Sequence, residues 1–246
     1  MASIRFALRD RMRESKPAIG KLKPRHSGSS APAACATGAS AAEFLPRKLE
    51  LPAMARAAHS CRGCPLYCNA TQVVFGEGPA GARLMLIGEQ PGDQEDLAGK
   101  PFVGPSGRVL DEALEQAGIS RDQVYVTNAV KHFKWKPSGQ RRLHAKPTSR
   151  EIKACRPWLE AEIQAIHPPM IICLGATAAQ SLLGNAFRLT QHRGEVLTNT
   201  SWSPWLLATV HPSSLLRIPD AAARQAARES FFADFRTSAT QLSNLG

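Results

Sequence analysis

The sequence predicts an α/β fold in three layers, with a central, mainly parallel four-stranded sheet between helices. Three observations carry this expectation. Four short apolar runs, at 83–88, 124–128, 170–175 and 205–210, are continuous, with no alternation of apolar and polar residues. That is the pattern of strands buried on both faces. Helix-like stretches alternate with these runs, as crossover connections between parallel strands require. Finally, 246 residues with 43% hydrophobic content suffice for one substantial core and some tail.

Taken in order, residues 1–41 mix Arg and Lys with Ser, Pro, Ala and Gly and cannot bury enough apolar surface to fold. They are expected to be a disordered basic extension, with one domain over 42–246. A first helix is expected after Pro46, running to His59 at a cysteine cluster. The strand at 83–88 is followed by a helix over 107–117 that Gly118 stops. The strand at 124–128 leads, through a basic segment, to a helix over Ser149–Ile166 that ends before Pro168. The strand at 170–175 runs into a helix over Ala176–Leu183, stopped by Gly184. After the strand at 205–210, an Ala- and Arg-rich helix is expected over 221–235. No internal repeat is present. No apolar run approaches the roughly 18 residues that span a bilayer, and no apolar block has signal-peptide length. A cytoplasmic protein with no membrane partner is expected.

The net charge of +11 is uneven. Residues 1–40 carry +6 and residues 131–156 carry +8, leaving −3 on the remainder. A basic tail and one basic segment on a slightly acidic body suit a phosphate backbone, with an attraction that salt weakens. A solvated basic loop with no partner has the same composition.

Six cysteines in a chain without an export signal favour metal or redox chemistry over a disulfide framework. Cys35, in a Ser/Ala/Gly-rich stretch, reads as an incidental free thiol. Cys173, inside an apolar run, reads as a small buried residue. Cys61, Cys64, Cys68 and Cys155 remain. The Cys61-x2-Cys64 spacing suits zinc or an iron–sulfur cluster, and structural zinc is the competing reading.

In open parallel sheets, ligands bind beyond the carboxyl ends of the strands. Here those ends carry Gly88-Glu-Gln-Pro-Gly92, Asn128-Ala-Val-Lys131, Gly175-Ala-Thr177 and His211-Pro-Ser-Ser214. Glycine, carboxylate, amide and imidazole therefore converge on one rim, the makeup of a small-molecule or base pocket. Each motif has an ordinary reading beside this one. The first is otherwise a strand-to-loop turn with solvated acids at Asp93, Glu95 and Asp96, and a histidine after a strand is often structural.

Seven motifs occur in one order: Cys61-Arg-Gly-Cys64, Gly88-Glu-Gln-Pro-Gly92, Pro101-Phe-Val-Gly104, Val126-Thr-Asn-Ala-Val130, Ala154-Cys-Arg-Pro-Trp158, Leu174-Gly-Ala176 and His211-Pro-Ser-Ser214. Together, over roughly residues 43–240, they resemble the family-4 uracil-DNA glycosylases. Gln90 after Glu89, Lys131-His-Phe-Lys134 and Gln140-Arg-Arg-Leu-His144 resemble the X-type enzymes of that superfamily.

The resemblance implies a uracil-DNA glycosylase fold and a 4Fe-4S cluster held by Cys61, Cys64, His132 and Cys155, with His132 where ordinary members have cysteine. By spacing, Cys68 competes with His132 for the fourth position and is otherwise a nearby free thiol. The resemblance also implies a uracil site of Phe102, Asn128, Gly88 and Asp93, with Phe102 stacking on the base and Asn128 reading its edge. Glu89, Gln90, His144 and His211 are the implied catalytic residues. His211 would stabilise the departing base, and His144 would attack C1′ and stay bonded to it. Arg141, Arg142, Lys146, Ser213 and Ser214 are the implied DNA contacts. The expected partner is uracil-containing DNA, single-stranded by preference, and the chain is expected to be a monomer.

Two other readings compete with the covalent one. A conventional glycosylase that turns over needs only Phe102, Asn128, His211 and an activated water. A metal-bearing protein that binds DNA without catalysis needs neither His144 nor His211.

Overall fold

The computed structural model describes Cys35 and residues 40–244. The basic extension expected over 1–41 lies largely outside the described residues. A 3-10 turn, Ala41–Phe44, capped by the Ser40 hydroxyl, opens the continuous part. Helix α1 (Leu51–Ala58) follows with Pro at its N-terminus, where a missing N–H costs nothing.

The four expected strands form as β1 (Leu84–Gly88), β2 (Val124–Asn128), β5 (Met170–Leu174) and β7 (Trp205–Thr209). They lie parallel in the order β2-β1-β5-β7. A fifth strand, β6 (Val196–Thr198), pairs antiparallel on the β7 edge. At three residues, it is too short to stand out as an apolar run in the sequence. The basic segment, expected as a loop, contains a separate hairpin of β3 (Trp135–Ser138) and β4 (Arg141–His144). Its exposed, charged residues carry no strand signal, and its turn falls at Ser138-Gly139-Gln140-Arg141.

Helices cover both faces of the sheet. On one face Leu84, Leu86, Val124, Ile172 and Leu207 pack against α3 (Pro105–Gln116), α7 (Pro212–Leu215) and α8 (Ala221–Ser243). On the other face Met85, Ile87, Tyr125, Ile171 and Leu206 pack against α4 (Ser149–Ile166) and α5 (Ala176–Leu183). The alternation within each run, every residue but Trp205 buried and successive ones on opposite faces, is the period-2 geometry of a strand covered twice. Helix α8 runs eight residues past the expected 235, because Ser238 and Leu242 remain buried. Two short helices, α2 (Asp93–Ala98) and α6 (Leu189–His192), complete the connections. Among the described residues no helix is long and apolar enough to cross a membrane.

A third apolar cluster joins Met54 and Ala58 of α1 to Cys155, Trp158 and Ala161 of α4, with Cys61, Cys64 and Phe75 between them. Helix α4 starts with a capping box in which Thr148 and Glu151 satisfy each other's backbone N–H. One helix therefore carries Cys155 toward the cysteine cluster and covers the sheet with its other residues.

Candidate active site

The chain passes from β1 to β2 on one side, then crosses to β5 on the other. The switch point lies at the carboxyl ends of β1 and β5, where ligands bind in such sheets. A cavity of about 480 Å³ opens there. It is lined by Glu89, Gln90, Phe102, Asn128, His144, Lys146, His211 and Ser213, among others. Eight of the residues named from the sequence thus meet in one space, drawn from five separate stretches of chain.

Gly88 and Asn128 are register partners across β1 and β2. A Cβ at Gly88 would run into Asn128 Oδ1 and the ring edge of Phe102, so glycine there leaves room for both. Asn128 is buried, and its Oδ1 has no hydrogen-bond partner. A buried polar atom without a partner is costly, so an unpaired acceptor on a cavity wall marks where a ligand donor belongs. Phe102 has a positive φ of 56°, which a bulky residue rarely adopts. Two contacts support that turn. Glu95 Oε1 accepts from Gly104 N at 3.0 Å, and the bare Gly107 allows the Phe102 carbonyl to pack against it. The Phe102 and His211 rings stack with centroids 6.0 Å apart.

His211 Nδ1 lies 2.8 Å from Ser213 Oγ and accepts from Ser213 N at 3.2 Å. The ring proton therefore belongs on Nε2. Burial lowers the His211 pKa to about 4, with His144 and Arg217 adding to the effect. At neutral pH His211 is an uncharged N–H donor. Ser214 Oγ donates to the His211 carbonyl at 2.7 Å. Both serines thus fix the histidine.

His144, at the end of β4, points its Nε2 between two groups. Gln90 Nε2 lies 2.8 Å away and Glu89 Oε1 3.4 Å away. Burial is the main cause that lowers the His144 pKa; Glu89 opposes it and Arg217 reinforces it. Gln90 also bonds Lys134 N, Lys134 O and Ala145 O, holding both ends of the hairpin. Arg142 secures the hairpin from outside. Its guanidinium binds Asp93 at 2.6 Å, Asp96 at 2.5 Å and Thr71 Oγ1 at 3.0 Å. It also stacks over Phe133 and Trp135. Arg142 and Asp93 are thus engaged with each other and not with the cavity, whereas Lys146 is exposed and lines it and Arg141 is exposed at the turn end of the hairpin. The acids expected to be solvated differ from that expectation: Asp96 is fully buried and Glu95 nearly so, because one binds Arg142 and the other braces Gly104.

Cys61, Cys64 and Cys155 are buried in one apolar cluster. Trp158 Nε1 donates to Cys61 Sγ and Lys131 N donates to Cys155 Sγ, both at 3.3 Å. Burial pushes the Cys64 thiol up to about 11 and the Cys155 thiol up to about 12. Three soft donors in a dry setting, two of them met by N–H groups, fit the chemistry of an iron–sulfur site. His132 is buried, and burial lowers its pKa to about 4, which keeps it neutral. Among the described residues no three His, Cys, Asp or Glu side chains stand in a ready ligand arrangement. Cys35 and Cys68, both expected free, are joined in a disulfide with Cα atoms 6.4 Å apart. The two lie 33 residues apart, and the turn Pro65–Cys68 brings them together. That bond removes Cys68 as a competitor for the fourth ligand position. Cys173 is fully buried in the sheet and burial pushes its thiol up to about 12, in line with a packing role.

Sequence reasoning missed Arg217 and Glu95, both of which line the cavity. Arg217 lies six residues past His211, beyond the motif; Glu95 was hidden in a run of acids.

The model of the uracil-DNA glycosylase superfamily matches residues 75–236, well over half of the chain, and the chain belongs to that superfamily. It is 40% identical over 163 residues to a type-4 uracil-DNA glycosylase of Thermotoga maritima, covering 64% of this chain and 78% of that one. A type-4 enzyme of Archaeoglobus fulgidus is 35% identical over 184 residues, 72% of this chain and 85% of its own length. A type-5 uracil-DNA glycosylase of Pyrobaculum aerophilum is 31% identical over 156 residues, 56% and 64% of the two chains.

Proposed function

We propose that this glycosylase releases uracil from DNA and then bonds through His144 to the C1′ atom left behind. The observation that carries the proposal is that His144 lines the same cavity as Asn128, Phe102 and His211. A base must leave the stack to enter such a cavity, which costs least in single-stranded DNA, the preferred substrate in this reading.

Uracil stacks on Phe102. Asn128 Oδ1 accepts from N3–H, and the Asn128 amide donates to O4. Cytosine presents the opposite pattern on that edge and leaves the amide unpaired. His211 Nε2–H donates to O2 as the C1′–N1 bond breaks and its electron pair leaves on the base. The sugar becomes an oxocarbenium-like electrophile at C1′. Neutral His144 gives a nitrogen lone pair to C1′, forming a C–N bond. The resulting imidazolium is stabilised by the Glu89 carboxylate beside it and loses its remaining N–H proton to water. Lys146 and Arg217, which line the cavity, and the exposed Arg141 on the hairpin hold the flanking phosphates.

The 4Fe-4S group fits Cys61, Cys64 and Cys155, with His132 as the fourth ligand. Held by these residues, it would tie the segment after β2 to α4 and to the cysteines that follow α1. No chemical step passes through it.

The second reading is a conventional glycosylase in which water attacks C1′. It is favoured by the names of the relatives, which are type-4 and type-5 uracil-DNA glycosylases. Incubation with a uracil-containing single-stranded oligonucleotide, followed by a denaturing protein gel, separates the two. A slow-migrating band that His144→Ala abolishes supports the covalent reading. Alkali-labile DNA with no such band supports turnover, and intact DNA contradicts both.

A further inference from the structure

Lys131 and Glu162 are fully buried, and they form an ion pair at 2.5 Å beneath the end of β2. Nothing in the uracil chemistry above uses them. A buried pair of this kind is weak evidence for stability, since apolar residues often do as well. Its geometry indicates another purpose.

The Lys131 ammonium has three hydrogens and three acceptors: Thr127 Oγ1 at 2.6 Å, the Asn128 carbonyl at 2.8 Å and Glu162 Oε2 at 2.5 Å. Glu162 is fixed in turn by Tyr125 Oη and Thr127 Oγ1, each at 3.0 Å, and by Gly76 N at 3.1 Å. On the opposite side, Ala129 N donates to the Gly88 carbonyl and Val130 N to that of Glu89. The peptide carrying Asn128 is thus held from both sides, while Asn128 Oδ1 has no partner of its own. The side-chain amide takes its direction from its backbone, and Lys131 fixes that backbone.

We infer that the Lys131–Glu162 pair is a positioning device for base selection: Lys131 Nζ, seated by Glu162, aims Asn128 at the edge of uracil. The inference rests on the reading of Asn128 as the residue that distinguishes uracil from cytosine.

The test uses the full chain and single-stranded oligonucleotides with uracil or cytosine on a 2′-fluoro sugar, which resists cleavage. The ratio of the two Kd values is compared with the melting temperature. Lys131→Met alone leaves Glu162 charged and unpaired and is expected to destabilise the fold, so the informative variant is Lys131→Met/Glu162→Gln. That pair of changes removes both charges and restores the melting temperature, while the bond to the Asn128 carbonyl stays absent. Its uracil preference is expected to fall about tenfold or more, toward the level of Asn128→Ala. Glu162→Gln leaves the buried Lys131 charge without its carboxylate, so its melting temperature is expected to fall. The glutamine amide oxygen still accepts from Nζ and seats it on the Asn128 carbonyl, so its preference is expected to stay within about threefold. A wild-type preference in the double variant, or an equal loss in Glu162→Gln, overturns the inference. A wild-type preference in Asn128→Ala overturns the reading of Asn128 and the inference with it.

Discussion

Burial sets the charge state of both cavity histidines, and two pH dependences follow from it at the scale of single residues. His144 attacks only when neutral, and its pKa lies below the ordinary imidazole value of 6.5. The half-maximum of adduct formation against pH should therefore lie below 6.5, with the rate falling as pH drops through it; a half-maximum at or above 6.5 would contradict this. His211 has a folded pKa of about 4, below its unfolded value of 6.5. Between those two pH values the unfolded chain binds a proton that the folded one refuses. The His211 contribution to stability is therefore present above 6.5 and lost as pH falls toward 4. A pH series of melting curves for wild type and His211→Asn should show the wild type losing more over that window. Phe102→Ala removes a stacking platform of about 1–3 kcal/mol, so Kd for uracil-containing DNA should rise by roughly five- to a hundredfold. Phe102 and His211 were legible because one stands in a Pro/Gly turn and the other at a strand end; His144 was legible only through the resemblance of its loop to the X-type enzymes. The engagement of Arg142 with Asp93 and Asp96 was not, since residues 46 to 49 positions apart are joined only by the fold.

At the scale of elements, the hairpin of β3 and β4 decides where His144 points. It touches the sheet through neither ladder nor core. Gln90, Arg142 and the Trp135 bond to the Asn69 carbonyl hold it instead. Loosening it should separate the two steps of the reaction. Arg142→Ala is expected to slow adduct formation by about tenfold or more, by misplacing His144, while uracil release, which uses Asn128 and His211, changes little. Quantifying free uracil and protein–DNA band from one reaction checks this; equal slowing of both would mean the hairpin serves base binding. The sequence disclosed the buried strands and the three middle helices, because twofold burial and Gly or Pro stops leave a pattern. The hairpin and β6 leave none, being short, exposed or at an edge.

At the scale of the whole molecule, charge is the feature that composition already disclosed. The basic segment at 131–156 includes a fully buried Lys131, Arg142, Lys134 and Arg156 paired with acids, and exposed cations at Lys136, Arg141, Lys146, Arg150 and Lys153. Its formal +8 therefore overstates the charge offered to DNA. Affinity for single-stranded DNA should still fall as salt rises, with a log–log slope set by the unpaired cations, about −0.7 for each phosphate neutralised. Arg141→Ala and Lys146→Ala should each flatten that slope, and Arg142→Ala should leave it nearly unchanged. The three-layer fold and the rim where its strands end could be read from hydrophobic pattern alone. Which cations remain free could not, because pairing is a property of the folded surface.

The most direct measurement is the site of attachment. Wild-type protein, incubated with uracil-containing single-stranded DNA and digested with nuclease and protease, is analysed by fragment mass spectrometry. The account predicts a deoxyribose remnant bonded to the peptide containing His144, on the imidazole, with stoichiometric release of uracil. Release of uracil with His144 unmodified, or a remnant on any other side chain, would contradict it.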